Sequence, residues 1–171
     1  MMRAVFFDRD GTLMEDAHYC ADPADVHVFP GVPPALRRLR RAGFGIFLIT
    51  NQSGMGRGLI TEEQYAAVHQ EFLRQAEGLV DGVYYCPDAP DVPSSCRKPE
   101  PGMVLQAALD HSIDLSASYF VGDKAADIEC GRRAGTRTIL VLTGYGAAAR
   151  DSIIPDFVCT DAVEAIELIL R

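Results

Sequence analysis

The chain has 171 residues, 48% of them hydrophobic, enough to bury one good core but too few for two comfortable domains, so a single domain over residues 1–171 is expected. A formal net charge of -8 argues against the basic face that phosphate-backbone binding needs, and no nucleic-acid partner is expected. No apolar run approaches the roughly 20 residues that span a bilayer, and no basic leader precedes an apolar stretch, which predicts a cytoplasmic protein without a membrane partner.

Ala4 to Phe7 is a short apolar run that stops abruptly at Asp8-Arg-Asp-Gly-Thr12, as a buried parallel strand stops at a functional loop. Gly31-Val-Pro-Pro34 leads into a helix through Arg41: proline suits the first turn, arginine the last, and Gly43 closes it. Phe44 to Ile49 repeats the pattern of the first strand and ends in Thr50-Asn-Gln-Ser53. Thr61-Glu-Glu-Gln64 has the residues of a capping box and opens a helix to about Gly78. Val80 to Cys86 reads as a third strand, and the stretch from Pro87 to Pro99, rich in Pro, Ser and Asp, reads as an exposed loop.

Helical pattern resumes near Pro101. Tyr119 to Gly122 is a fourth strand ending at Asp123, and Ala125 to Ala134 a helix closed by Gly135. Thr138 to Leu142 is a fifth strand, Phe157-Val158 a short edge strand, and Ala162 to Leu170 a final helix. Strands alternating with helices predict an α/β fold: a doubly wound, Rossmann-like parallel sheet of five to six strands with helices on both faces. Ligands of such folds bind beyond the carboxyl ends of the strands.

That edge gathers Asp8 and Asp10 after the first strand, Thr50 after the second, Lys98 before a helix, and Asp123, Lys124 and Asp127 after the fourth. Carboxylates converging from separate strands repel one another unless a hard cation sits among them, and Mg²⁺ suits a few oxygen ligands. Asp8 and Asp123 are the expected carboxylate ligands. A phosphoryl group bound there needs a cation and a donor around its developing charge, roles that fit Lys98 and Thr50. Of sixteen Lys and Arg residues only Lys98 and Lys124 are lysines, and both fall at this edge. Asp127 by itself reads as a charge on a helix surface.

Asp8-Arg-Asp-Gly-Thr-Leu13, Thr50, Lys98 and Gly122-Asp-Lys-Ala-Ala-Asp127 together resemble the four motifs of the haloacid dehalogenase superfamily. The resemblance implies Asp8 as nucleophile, Asp10 as acid and then base, and Mg²⁺ on Asp8, Asp123 and the Asp10 backbone carbonyl. Phe7-Asp-Arg-Asp-Gly-Thr12, Thr50 to Gly54 with Arg57-Gly58, Tyr84-Tyr-Cys-Pro87, and Cys96-Arg-Lys-Pro99 with Pro101-Gly-Met103 are similar to its histidinol-phosphatase group, and within it to members acting on a heptose bisphosphate. By that likeness Asp16, Ala17, His18, Tyr19, Thr50, Asn51, Gln52 and Ser53 line a small phosphorylated sugar. Lys98 and Lys124 contact its phosphate, and Arg97 recognises the part distant from the reacting group, which a planar guanidinium can hold with two parallel hydrogen bonds. No stretch between the motifs is long enough for an independent cap domain. An open pocket and a monomer are expected.

Relatives in this group carry a structural zinc with ligands spaced Cys-x-His and Cys-x-Cys. Here Asp88 stands for the histidine of Cys86-Pro-Asp88, and Ser94 for a cysteine of Ser94-Ser-Cys96, so no zinc is expected, since a tetrahedral structural site normally needs all four ligands. Five scattered cysteines are expected to be reduced thiols. Two rival functions stay open. Histidinol phosphate as substrate shares the same motifs. A non-catalytic phospho-receiver domain also joins acidic residues, a Thr and a Lys, but keeps its acidic pair on a different strand from the phosphorylated Asp, whereas Asp8 and Asp10 flank one residue.

Overall fold

The computed structural model describes all residues 1–171. Six strands form one parallel sheet: β1 (Arg3–Phe7), β2 (Phe44–Asn51), β3 (Gly82–Cys86), β4 (Tyr119–Gly122), β5 (Arg137–Val141) and β6 (Phe157–Cys159), in the spatial order β3-β2-β1-β4-β5-β6. Seven helices accompany them: α1 (Val32–Arg41), α2 (Ser53–Gly56), α3 (Glu62–Gln75), α4 (Gly102–His111), α5 (Ala125–Ala134), α6 (Gly146–Ala149) and α7 (Ala162–Ile169). This is the doubly wound order, and no cap domain interrupts it. No helix is long and apolar enough to cross a membrane.

The two-residue period of the strands divides the core between the two faces of the sheet. Val5, Phe7, Ile46, Leu48 and Val121 pack with Leu36 and Leu39 of α1, Phe72 of α3 and Ile166 of α7. Ala4, Phe6, Phe47, Ile49 and Phe120 pack on the other face with Val104 of α4 and Cys130 of α5. Each fully buried Phe or Leu contributes about 1.5–3 kcal/mol. These two layers make β1 and β4 rigid supports for whatever follows them.

Local signals place the helices. The capping box at Thr61 is present in both directions: the Thr61 side chain accepts from Gln64 N–H and the Gln64 side chain accepts from Thr61 N–H. Gly135, with φ 84°, closes α5 in a left-handed turn that its missing side chain permits. β2 extends two residues past the apolar run because Thr50 and Asn51 pair with Tyr85 and Cys86 of β3, and backbone pairing does not depend on side-chain polarity. α2 and α6 were not foreseen; each is a single turn, too short for an apolar period to show.

Candidate active site

The connections leave β1 toward β2 and β4 toward β5 in opposite directions, so a crevice opens between the carboxyl ends of β1 and β4. Asp8 follows β1 and Asp123 follows β4; both are buried. Lys98 comes from the loop before α4 and enters the same crevice. Its Nζ donates to Asp8 Oδ1 at 2.7 Å and to the Ile49 carbonyl at 2.7 Å, and lies 2.6 Å from Asp127 Oδ1.

Asp127 is thus corrected from a helix-surface charge to a buried member of the site, 1% exposed. It stands at the third residue of α5, where its Oδ2 also accepts the Lys124 backbone N–H at 3.0 Å. The signal lay in Gly122: a Cβ there would come within 2.5 Å of the Asp127 carboxylate, so the glycine is what admits it. Asp8, Asp123 and Asp127 bring carboxylate oxygens within 4.8 Å of one another.

The charges can be assigned. Burial pushes the Asp8 carboxyl up, but the nearby charges of Lys98 and Lys124 outweigh it and hold Asp8 below its ordinary range. Burial disfavours the Lys98 ammonium, yet Asp127 and Asp8 overcome this and raise its pKa. Asp123 has Lys124 but not Lys98 to oppose the same pressures, and that is not enough. Burial, then the charges of Asp8 and Asp127, push its carboxyl up to about 8. A buried acid cluster one positive charge short, offering oxygen donors only, fits a hard divalent cation. Asp8, Asp123 and the Asp10 carbonyl would hold Mg²⁺ there.

Asp10 points toward a cavity of about 350 Å³. Its carboxylate accepts two hydrogen bonds from Arg9, Nε to Oδ2 and Nη2 to Oδ1, both at 3.2 Å, and one from Gln52 Nε2 at 3.1 Å. Arg9 is 1% exposed, and its Nη1 has no hydrogen-bond partner. Sequence reasoning placed Arg9 inside the motif without seeing that it holds its neighbour. Gln52 Nε2 also donates to Thr50 Oγ1 at 2.8 Å, leaving the Thr50 hydroxyl hydrogen free for another acceptor.

The cavity takes Asp16, His18 and Tyr19 from the loop after β1, Asn51, Gln52 and Ser53 from the end of β2, and Arg97, Lys98 and Lys124 from the loops before α4 and α5. Lys124 Nζ lies 3.5 Å from Asp16 Oδ2. Asn51 exchanges hydrogen bonds with the Lys98 backbone, donating to its carbonyl at 3.1 Å and accepting from its N–H at 3.0 Å, so it fixes the lysine loop. Two expected residues do not line this cavity. Ala17 packs against the core, and Thr50 is buried beneath Gln52. Tyr145, which does line it, carried no motif; its only mark in the sequence is a glycine on either side.

In the loop before Lys98 the expectation of reduced thiols fails for one pair. Cys86 and Cys96 form a disulfide with Cα atoms 5.7 Å apart, because the loop returns from the end of β3 onto itself. Asp88 and Ser94 close around it, Asp88 Oδ2 at 3.6 Å from each sulfur and Ser94 Oγ at 3.4 and 3.2 Å. Cys20, Cys130 and Cys159 are free and buried.

Fold and site together define a magnesium-dependent phosphatase of the haloacid dehalogenase class. The HAD-hydrolase-like family model matches residues 95–165, which include the lysine loop and Asp123 to Asp127. The D-glycero-D-manno-heptose-1,7-bisphosphate 7-phosphatase of Thermosynechococcus vestitus is 40% identical over 97% of this chain and 94% of its own. The D-glycero-beta-D-manno-heptose-1,7-bisphosphate 7-phosphatase of Yersinia pestis is 39% identical over 91% and 88%. The crystal structure of D,D-heptose 1,7-bisphosphate phosphatase from B. bronchiseptica, complexed with magnesium and phosphate, superposes with a TM-score of 0.92 at 33% identity, covering 99% of this chain and 98% of that one. The chain belongs to the family of D-glycero-D-manno-heptose-1,7-bisphosphate 7-phosphatases.

Proposed function

We propose that this chain removes the 7-phosphate of D-glycero-D-manno-heptose 1,7-bisphosphate through a phosphoryl-aspartate on Asp8. The observation that carries the chemistry is the buried Asp8 carboxylate, held 2.7 Å from Lys98 Nζ, with Asp10 two residues on lining the same cavity as Arg97 and Lys124. The substrate comes from the relatives named above, whose identity to this chain extends over 97% and 91% of its length.

Asp8 attacks phosphorus and Asp10 protonates the departing sugar oxygen; Asp10 then takes a proton from the water that cleaves the phosphoryl-aspartate. Lys98 meets the equatorial oxygens, where charge grows in an in-line displacement, and Thr50 supports Gln52 from beneath. When bound, Mg²⁺ supplies the remaining neutralisation of charge. Arg9 and Gln52 keep the Asp10 carboxylate aimed through three hydrogen bonds. Arg97 holds the second phosphate. We read it as a cytoplasmic monomer whose substrate is a small sugar phosphate, in a cavity of about 350 Å³.

The test is phosphate release from heptose 1,7-bisphosphate in both anomers and from histidinol phosphate, compared by kcat/KM. Heptose bisphosphate is the better substrate by this reading, and a preference for histidinol phosphate would replace it. Asp8→Asn should abolish turnover while the circular dichroism spectrum stays that of the wild type; persistent activity in that variant would sink the mechanism.

A further inference from the structure

The segment Thr143 to Gly146 leaves β5 and passes directly under the acid cluster. Tyr145 N–H donates to Asp123 Oδ2 at 2.9 Å, and Thr143 Oγ1 donates to the Gly11 carbonyl at 2.7 Å. The approach is too close for side chains on either side of the tyrosine. A Cβ on Gly144, whose φ is 54°, would stand 2.2 Å from Asp123 Oδ2, and one on Gly146 would stand 1.7 Å from the Val141 carbonyl oxygen. Tyr145 is therefore the one residue of Gly144-Tyr-Gly146 that can present a side chain, and its backbone is anchored to a metal-ligand candidate.

That side chain meets the loop after β1. The Tyr145 hydroxyl lies 3.3 Å from His18 Nδ1, the two rings meet edge to face at 6.2 Å, and Lys124 Nζ stands 5.1 Å from the centre of the tyrosine ring. His18 and Tyr19 both adopt positive φ, 42° and 50°, without being glycine. Two consecutive residues of this kind cost about 1–2 kcal/mol each, so the surrounding contacts must hold the loop in place. Asp16 does so by accepting the His18 N–H at 3.0 Å while facing Lys124. Asp16, His18 and Tyr145 line both the catalytic cavity and a second one of about 350 Å³ bounded also by Gly11, Glu15 and Phe29. The pair is thus a partition between two cavities, standing beside Lys124.

We infer that Tyr145, braced by His18, is a specificity-determining residue that forms the wall against which the sugar portion of the substrate is positioned. The chemistry suits a polyhydroxylated ring: an aromatic face packs on the C–H side of a sugar, while the phenol and imidazole offer a donor and an acceptor to its hydroxyls. The tyrosine is 43% exposed, so it has apolar surface left to cover. Lys124 beside the ring keeps the anionic end of the ligand on the catalytic side of the partition. This inference rests on the sugar-phosphate reading above and extends it to a residue outside the four motifs.

The experiment compares Tyr145→Ala and Tyr145→Phe with wild type in Mg²⁺, on heptose 1,7-bisphosphate and on acetyl phosphate, which has the phosphoryl end and no sugar. The ratio of kcat/KM for the two substrates should fall by about tenfold or more in Tyr145→Ala, the scale of a lost apolar contact in a specificity pocket. The loss should sit mainly in KM. Tyr145→Phe should lose about two- to tenfold, the worth of one hydrogen bond. Equal losses on both substrates would show that Tyr145 acts through Asp123 and overturn the inference, as would no change on either. Should wild type hydrolyse another sugar phosphate in place of heptose bisphosphate, the substrate reading fails. The same ratio measured on that sugar then upholds or overturns the role of Tyr145 separately.

Discussion

Lys98→Met isolates the charge that organises the site. The Lys98 side chain is 3% exposed, and its ammonium lies 2.7 Å from Asp8, 2.6 Å from Asp127 and 2.7 Å from the Ile49 carbonyl. Methionine fills similar volume with no charge, so packing is largely kept while two buried carboxylates lose their nearest cation. Removing one partner of a buried pair costs about 3–5 kcal/mol. In a chain of this length each kcal/mol moves Tm by about 2–4 °C, which gives a fall of about 6–20 °C for the metal-free variant at neutral pH. The pH dependence has a definite sign. With Lys98 gone, the Asp8 and Asp127 carboxyls have folded-state pKa values above their unfolded ones, and stability returns as pH falls toward the unfolded range. Thermal unfolding followed by circular dichroism, at neutral and mildly acidic pH without metal, measures both effects. An unchanged Tm at neutral pH, or a deficit that widens on acidification, would refute the account of Lys98 as the internal counter-ion.

The wild type without metal should show a related dependence, because the Asp123 carboxyl is pushed up to about 8 in the folded protein. Its contribution to stability is present below the ordinary carboxylate range and is lost as pH rises through about 8; Mg²⁺ should restore it, and a urea midpoint that responds to neither pH nor Mg²⁺ would contradict this. Thiol titration of the unfolded protein should find three reactive cysteines before reduction and five after, and five before reduction would exclude the Cys86 to Cys96 bond.

Much of this was legible from local chemistry. The apolar runs ending in polar residues marked β1, β2 and β4 and the edge where their ends meet, and caps at Thr61 and Gly135 marked helix ends to within a residue or two. Asp8, Asp10, Lys98 and Asp123 were found because a doubly wound sheet has one functional edge, and strand ends in the sequence are neighbours there. Asp127 was placed at the same edge, but its burial against Lys98 was not legible, because a carboxylate on a helix looks the same in sequence whether it faces water or a buried lysine. The five cysteines were expected to be reduced because they are scattered along the chain, while the path of the loop brings Cys86 and Cys96 together.

The Asp8 and Asp10 pair shows where the division falls. The sequence by itself determined the strand and the residues at its end, since these follow from periodicity and from functional groups read one residue at a time; the chemistry expected of the pair came from their resemblance to the haloacid dehalogenase motifs. Only the tertiary structure decided which charges neutralise which, that Arg9 and Gln52 grip Asp10, and that Tyr145 stands against His18 across 127 positions of chain. Those are through-space matters of a few ångströms, where burial and distance set the energy and sequence separation has no bearing on either.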